Sequence, residues 1–398
     1  MTPLARYFES GISPKSHSLG LEVEHFILNK ETGMPMDYEL MAQLLEYLAP
    51  VYDKVIKEEG RIIALDSENV LITLEPGCQL ELSFRNTSDI GKIRSWYIEA
   101  MGPIYHFVDE HSYAIAYSGG LPTVPVDDVV RIPKRRYELM EKWFEHAGTR
   151  GKEMMKGTAA VHVSIDYDSE ADFVKKYVVS NYLHLQFSFL SANSSYYEGR
   201  KNDDILLRDS IWENTDPART GYMPYTFDKD FGFEAYGKWV ESVPLILVHD
   251  GEQFIPVGSM SCAEAAEKYG WSDALIGHYL SMVFPFVRVK KFIEIRSADC
   301  MPLEYTLAYC ALLKGIFYDP ENVAYYYERA KDCSIEQLHE YKRQIEKDGW
   351  NACVYGDSSL QHVLHVLLEK AREGLDEKDG QYLDWFDWLV KEKKHIFD

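Results

Sequence analysis

The apolar residues of this chain follow two periods. Alternation of apolar and polar positions predicts strands at residues 20–28, 62–74, 79–84, 159–166, 245–248 and 291–297. Recurrence every three to four residues predicts helices between them, at 38–49, 90–110, 134–146, 170–190, 262–269 and 271–284. Beyond about Pro302 the period is helical throughout, with segments at 303–317, 320–330, 335–346, 359–373 and 382–393. This is an α+β pattern, a sheet followed by a helical C-terminal region. No repeat, low-complexity tract or Pro/Gly/Ser-rich linker divides the chain. One domain over 1–398 is expected, its sheet-bearing core at about 15–301 and its helical region at about 302–398. The last helix, YLDWFDWLVKEKK, carries an apolar stripe that either packs onto the domain or offers a face to a partner.

The polar positions of the alternating segments are unusual. In Leu21-Glu22-Val23-Glu24 the period of two sends both carboxylates to one face and the aliphatic residues to the other. Gln79, Glu81 and Ser83 share a face opposite Leu80, Leu82 and Phe84, and Glu75 precedes a Pro-Gly turn that can fold it back toward Glu81. His162, Ser164 and Asp166 alternate with Val161, Val163 and Ile165, and Glu294 with Arg296 stands opposite Ile293 and Ile295. For any one strand, a solvated outer face is the plainer reading. As a set the residue types argue otherwise, because solvated faces favour Thr, Lys and Ser, whereas clustered carboxylates repel one another. Hard divalent cations relieve that repulsion, and Mg²⁺ suits oxygen donors with a single imidazole and no cysteine better than Zn²⁺ does.

Composition narrows the function. With 46% hydrophobic and 14% aromatic residues the chain can bury a large core, while a formal charge of −22 repels nucleic acid and anionic membranes. Six scattered cysteines without CxxC or zinc-type spacing are expected to be free thiols in a reducing cytoplasm. The N-terminus resembles neither a signal peptide nor a transit sequence, and no run of about 18 apolar residues occurs, so no membrane span is expected.

An anionic ligand must then be met by local cations. Residues 207–221 read as a loop holding Arg208 and Arg219, which can bind carboxylate or phosphate, or equally pair with Asp209 and Asp216. Arg288 and Lys290 directly precede Glu294 and Arg296, which favours a phosphate role. Neither a Walker-type GxxxxGK[ST] nor a GxGxxG motif is present, so any nucleotide must be held by metals and side chains.

Seven blocks in order, GLEVEHF, LEPGCQLELS, RRYELM, MMKGTAAVHVSIDY, RDSIWENTDPARTG, FGFEAYGKWVESVP and HYLSMVFPFVRVKKFIEIRSADCMP, resemble the plant-type glutamate-cysteine ligase family. The resemblance runs from Gly20 to Pro302. It implies a glutamine-synthetase-like fold with a concave metal-binding sheet face, and makes Glu22, Glu24, Glu75, Glu81, His162 and Glu294 the metal set for two or three Mg²⁺. Arg296 and Arg219 become the cations facing the transferred phosphate, and Arg208, Arg288, Lys290, Gln79 and Ser164 the substrate and nucleotide neighbours. The implied activity is ATP-dependent ligation of glutamate to cysteine through γ-glutamyl phosphate, the first step of glutathione biosynthesis, by a monomer or homodimer. Where plant-type ligases read QVNxD this chain has HVSID, and where they read FPEVRLK it has FPFVRVK with Phe286, which bears on the amine substrate. A glutamate ligase using another amine is the rival within the class. A guanidino kinase shares the fold, but its CPxNxGT motif is not matched at Cys300 in ADCMPLEY. As a ligand His162 must be neutral, which ties metal affinity to pH just below neutrality.

Overall fold

A computed structural model describes residues 1–58, 60–356 and 358–398. All but one of the alternating segments join a nine-stranded sheet; the one expected at 245–248 instead forms a separate two-stranded sheet, Leu247–His249 with Phe254–Pro256. The strands of the large sheet are β1 (Leu19–Asn29), β2 (Lys54–Glu58), β3 (Arg61–Asp66), β4 (Val70–Leu74), β5 (Leu80–Thr87), β6 (Tyr113–Ala116), β7 (Ala160–Ile165), β8 (Val287–Val289) and β9 (Ile293–Asp299). The order is β8-β9-β7-β1-β5-β4-β3-β2, with β6 on the far half of β1, and every pairing is antiparallel. Register decides what the polar alternation means. Glu22 stands opposite Ser83 on one side and His162 on the other, Glu24 opposite Glu81, and Glu294 opposite both Ser164 and Arg288. Directly opposed residues share a face, so the carboxylates of three strands and the imidazole of a fourth gather on one side of the sheet.

The other face is the core. Leu21, Val23, Leu82, Val161, Val163, Ile293 and Ile295 are fully buried against the helices α4 (Glu170–Leu190) and α6 (Leu303–Phe317). Buried residues surround α4 on all sides from Lys176 to Leu190, as expected of a helix lying between a sheet and a second helical layer. That layer is the C-terminal region, and one of its hydroxyls links the ends of two strands. Tyr318 Oη accepts from Asp166 N at 2.9 Å, just past the end of β7, and donates to Ser18 O at 2.5 Å, just before the start of β1. All six cysteines are free. No helix among the described residues is long and apolar enough to cross a membrane.

Four departures from the sequence pattern have physical causes. The expected strand at 62–74 is a hairpin, because Ser67-Glu68-Asn69 forms a tight turn in which Ser67 N and Oγ both donate to Val70 O. β2 lies at the sheet edge with nearly every residue exposed, so it carries no alternation of burial to read. Residues 207–213, expected in a loop, form the helix α5 (Leu207–Glu213). The helix expected at 271–284 stops at Leu280, and residues 284–289 become strand under the Pro285 constraint.

The helices α6 and α7 (Leu360–Glu373) meet at two glycines. A Cβ on Gly315 would lie 2.1 Å from Ala371 O, and one on Gly374 2.2 Å from Gly315 O. Gly315→Ala is therefore expected to lower the unfolding free energy in urea by about 1–3 kcal/mol. A loose crossing would give the opposite sign, because alanine gains up to about 1 kcal/mol over glycine inside a helix.

Candidate functional site

The polar side of β1, β5, β7 and β9 floors a cavity of about 240 Å³. Its walls come from the helices α2 (Arg135–Phe144), through Arg136, Tyr137 and Met140, and α3 (Gly151–Gly157), through Met154 and Met155. Trp212 of α5 and Phe284 close it. Of the residues singled out in the sequence, Glu22, Glu24, Glu75, Glu81, His162, Gln79, Arg288 and Arg296 line this one space. Glu294, Lys290, Ser164, Arg208 and Arg219 do not.

Glu75 reaches the cavity by a turn in which Glu75 N donates to Gln79 O and Cys78 N to Glu75 O, both at 2.9 Å. The left-handed position of that turn falls on Cys78, at φ 67°, rather than on Gly77. Gly77 is needed for room, since a Cβ there would sit 2.8 Å from the Lys156 backbone. The acids are unevenly compensated. Glu24 Oε2 accepts one bond, from Ala160 N at 2.8 Å, and burial followed by the charge of Glu75 pushes its carboxyl up to about 8. Glu81 Oε1 accepts from Thr73 and Ser83 hydroxyls, each at 2.9 Å, yet burial and then Glu22, Glu75 and Glu24 hold it well above the ordinary range. Glu22 is also pushed up by burial, but the 3.3 Å contact with His162 Nδ1 leads the effects that bring it net below its usual value.

His162 departs from what an ordinary imidazole predicts. Burial, then Arg296, lowers its pKa to about 4, so it is neutral throughout the range just below neutrality, and a pH dependence there does not come from this residue. With Nδ1 turned to Glu22, its Nε2 is buried and has no hydrogen-bond partner among the described residues. Gln79 is similar: Nε2 donates to Thr158 O at 2.8 Å, leaving Oε1 buried and, among the described residues, unpartnered. An unpartnered imidazole nitrogen, an unpartnered amide oxygen and two carboxyls driven toward protonation by burial and then by mutual repulsion fit a site that accepts divalent cations. As the side chains stand, no three His, Cys, Asp or Glu groups among the described residues converge on one point.

The cationic end is built around Glu294. Burial would raise its carboxyl, but Arg288, Lys290 and Arg296 bring it well below the usual range. Arg288 Nε donates to Oε2 at 2.6 Å, Arg296 Nη1 to Oε2 at 3.0 Å, and Lys290 Nζ to Oε1 at 3.0 Å. Glu294, expected among the metal ligands, thus has both oxygens engaged by cations. Arg219, expected at the phosphate, is buried elsewhere: its Nε donates to Asp216 at 2.6 Å, its Nη1 to Met282 O at 3.0 Å, and it lies over the Trp143 ring. Arg208 is likewise turned to backbone, donating to Ala298 O at 3.0 Å. Ser164 shares the polar face without reaching the cavity wall.

Two kinds of residue were missed. Arg136 lines the cavity and donates to Ser281 Oγ and O, with no carboxylate within ion-pair distance among the described residues. A signal for it existed, since Lys134-Arg135-Arg136 puts positive charge at a helix N-terminus, where the helix dipole disfavours it. Met140, Met154, Met155, Trp212 and Phe284 carried none, because a lone apolar side chain does not show in sequence whether it points to a core or to a cavity.

Comparison with known proteins bears on this geometry. Residues 18–373 match the family described as Glutamate-cysteine ligase family 2. The chloroplastic glutamate-cysteine ligase of Nicotiana tabacum is 30% identical over 386 residues, covering 94% of this chain and 73% of that protein. Its Arabidopsis thaliana counterpart is 28% identical over 405 residues, covering 98% and 76%. The fold is similar to that of a crystal structure of glutamate-cysteine ligase from Francisella tularensis in complex with AMP, with TM-score 0.57 and 13% identity over 96% of this chain and 84% of that one. Because the family match spans nearly the whole of the sheet and most of the helical region, the chain belongs to glutamate-cysteine ligase family 2.

Proposed function

We propose that the protein joins the side-chain carboxylate of L-glutamate to the amine of L-cysteine, driven by ATP, and so forms γ-glutamylcysteine, ADP and phosphate. The observation that carries this reading is the opposition, within one cavity, of an under-compensated carboxylate cluster and three arginines, Arg136, Arg288 and Arg296, in a chain of this family. A free carboxylate has no leaving group fit for amide formation. Its oxygen therefore attacks the γ-phosphorus of ATP and expels ADP, and the amine then attacks the γ-glutamyl phosphate carbonyl and expels phosphate, with loss of a proton.

Glu22, Glu24, Glu75, Glu81 and His162 are assigned to hold two or three Mg²⁺, which when bound neutralise phosphate charge. Arg296 faces the transferred phosphoryl group, and Glu294 fixes Arg288, Lys290 and Arg296 in place. Arg136, with no carboxylate of its own, offers its fork to a substrate carboxylate. Arg219 and Arg208 act on the scaffold. The direct test is coupled ADP detection with purified protein, omitting glutamate, cysteine and Mg²⁺ in turn. Loss of ADP release on each omission is expected, and ADP release indifferent to glutamate overturns the reading.

The raised carboxyls give a second test. In Mg²⁺-free buffer folded Glu24 keeps a proton up to about pH 8, which the unfolded chain releases near its ordinary value. Between about pH 5 and 8 the folded state thus binds more protons than the unfolded one, and stability falls as pH rises. Tm should drop by about 5 °C or more across that window relative to Glu24→Gln, and saturating Mg²⁺ should remove most of the difference. A Tm that runs parallel in the two proteins would contradict this charge assignment.

A further inference from the structure

Arg296 sits where the sheet is irregular. The register between β9 and β7 shifts between Ile295 and Ala298, a bulge that locally disrupts the ladder around residues 296–298. The carbonyls of these residues are gathered by one side chain. Arg208 donates from Nη1 to Ala298 O at 3.0 Å and Ser297 O at 3.4 Å, and from Nη2 to Arg296 O at 3.5 Å. One turn later on the same face of α5, the Trp212 ring lies under the guanidinium of Arg296, 5.2 Å from its Cζ. Between these two, Asp209 accepts from Ser188 at 3.1 Å and lies 3.3 Å from His184, whose Nδ1 meets Ser297 Oγ at 2.7 Å. Three residues of a seven-residue helix thus engage the bulge at 296, 297 and 298, directly or through His184 and Ser188.

This is more than a single element would need merely to pack. α5 has no side-chain N-cap, so tertiary contacts hold it. Among the described residues Arg296 in turn forms an ion pair with Glu294 alone, which it shares with Arg288 and Lys290. Its orientation is therefore under-determined by charge alone, and a planar ring beneath the planar fork supplies the missing constraint.

We propose that α5 is a positioning element for Arg296, with Trp212 setting the plane of its guanidinium and Arg208 fixing the bulge that aims it into the cavity. The inference deepens the proposed function, since it rests on Arg296 facing the transferred phosphoryl group. A fork held rigid before reaction needs no reorganisation as charge develops, so loosening it should appear in turnover rather than in substrate affinity.

The test is a double-mutant cycle on the full-length enzyme with Mg-ATP, glutamate and cysteine. Arg296→Lys should lower kcat by about 10-fold. Trp212→Leu should also lower kcat about 10-fold, with each KM within about twofold, while Trp212→Phe, which keeps a π face, should recover most of the loss. On the Arg296→Lys background Trp212→Leu should cost less than about threefold more. Effects that multiply, a loss confined to KM, or Trp212→Phe as damaging as Trp212→Leu would overturn the positioning role. An unaltered kcat in Arg296→Lys would instead overturn the assignment of Arg296 itself. Should Trp212→Leu fail to fold, Arg208→Lys replaces it in the same cycle, because it keeps a cation but loses the fork on the three carbonyls, and the same outcomes decide.

Discussion

Carboxylates brought together on one face of a sheet repel each other, and the rest of this structure depends on how that repulsion is distributed. At the β9 end it is fully answered: Glu294 is surrounded by Arg288, Lys290 and Arg296 and held ionised. Across β1 and β5 it is not, and burial with mutual repulsion keeps Glu24 and Glu81 near protonation. The face is therefore polarised, with under-compensated carboxyls at one end, the acidic end, and cationic side chains at the other. On the proposed function, divalent cations at the acidic end would let a polyanionic phosphate lie between them. The net charge of −22 makes this local arrangement necessary, because nothing in the surrounding field attracts an anion.

The scaffold serves that polarity. Antiparallel pairing puts Glu22 beside His162 and Glu24 beside Glu81, although up to 140 residues separate the partners in sequence. The buried α4 and the C-terminal helices press on the opposite face. Their close approach at Gly315 and the Tyr318 link to Ser18 and Asp166 connect the helical region to the ends of β1 and β7.

Much of this was legible in the sequence, for a physical reason. A period of two places side chains on faces without knowledge of the partner strand, so the polar set on β1, β5, β7 and β9 could be read before any pairing was known. What could not be read depends on direction and company. Arg208 and Arg219 look in sequence like arginines free to bind an anion, yet one is bound to backbone carbonyls and the other to Asp216. α5 reads as a loop because its polar composition resembles one, while its helical form rests on contacts with β9, about ninety residues further along the chain. His162 keeps the alternation that marked it, but its low pKa comes from burial and from Arg296, neither visible in HVSID.

The central claim is that the acidic end of this face is a cation site. The most direct measurement is anomalous scattering from crystals grown with Mn²⁺ and a non-hydrolysable ATP analogue. The account predicts Mn²⁺ peaks inside the cavity, bound by oxygens of Glu22, Glu24, Glu75 and Glu81 and by Nε2 of His162, with the analogue's phosphates reaching toward Arg296. A nucleotide bound with no metal at those carboxylates, or with its metal held elsewhere on the protein, would contradict it.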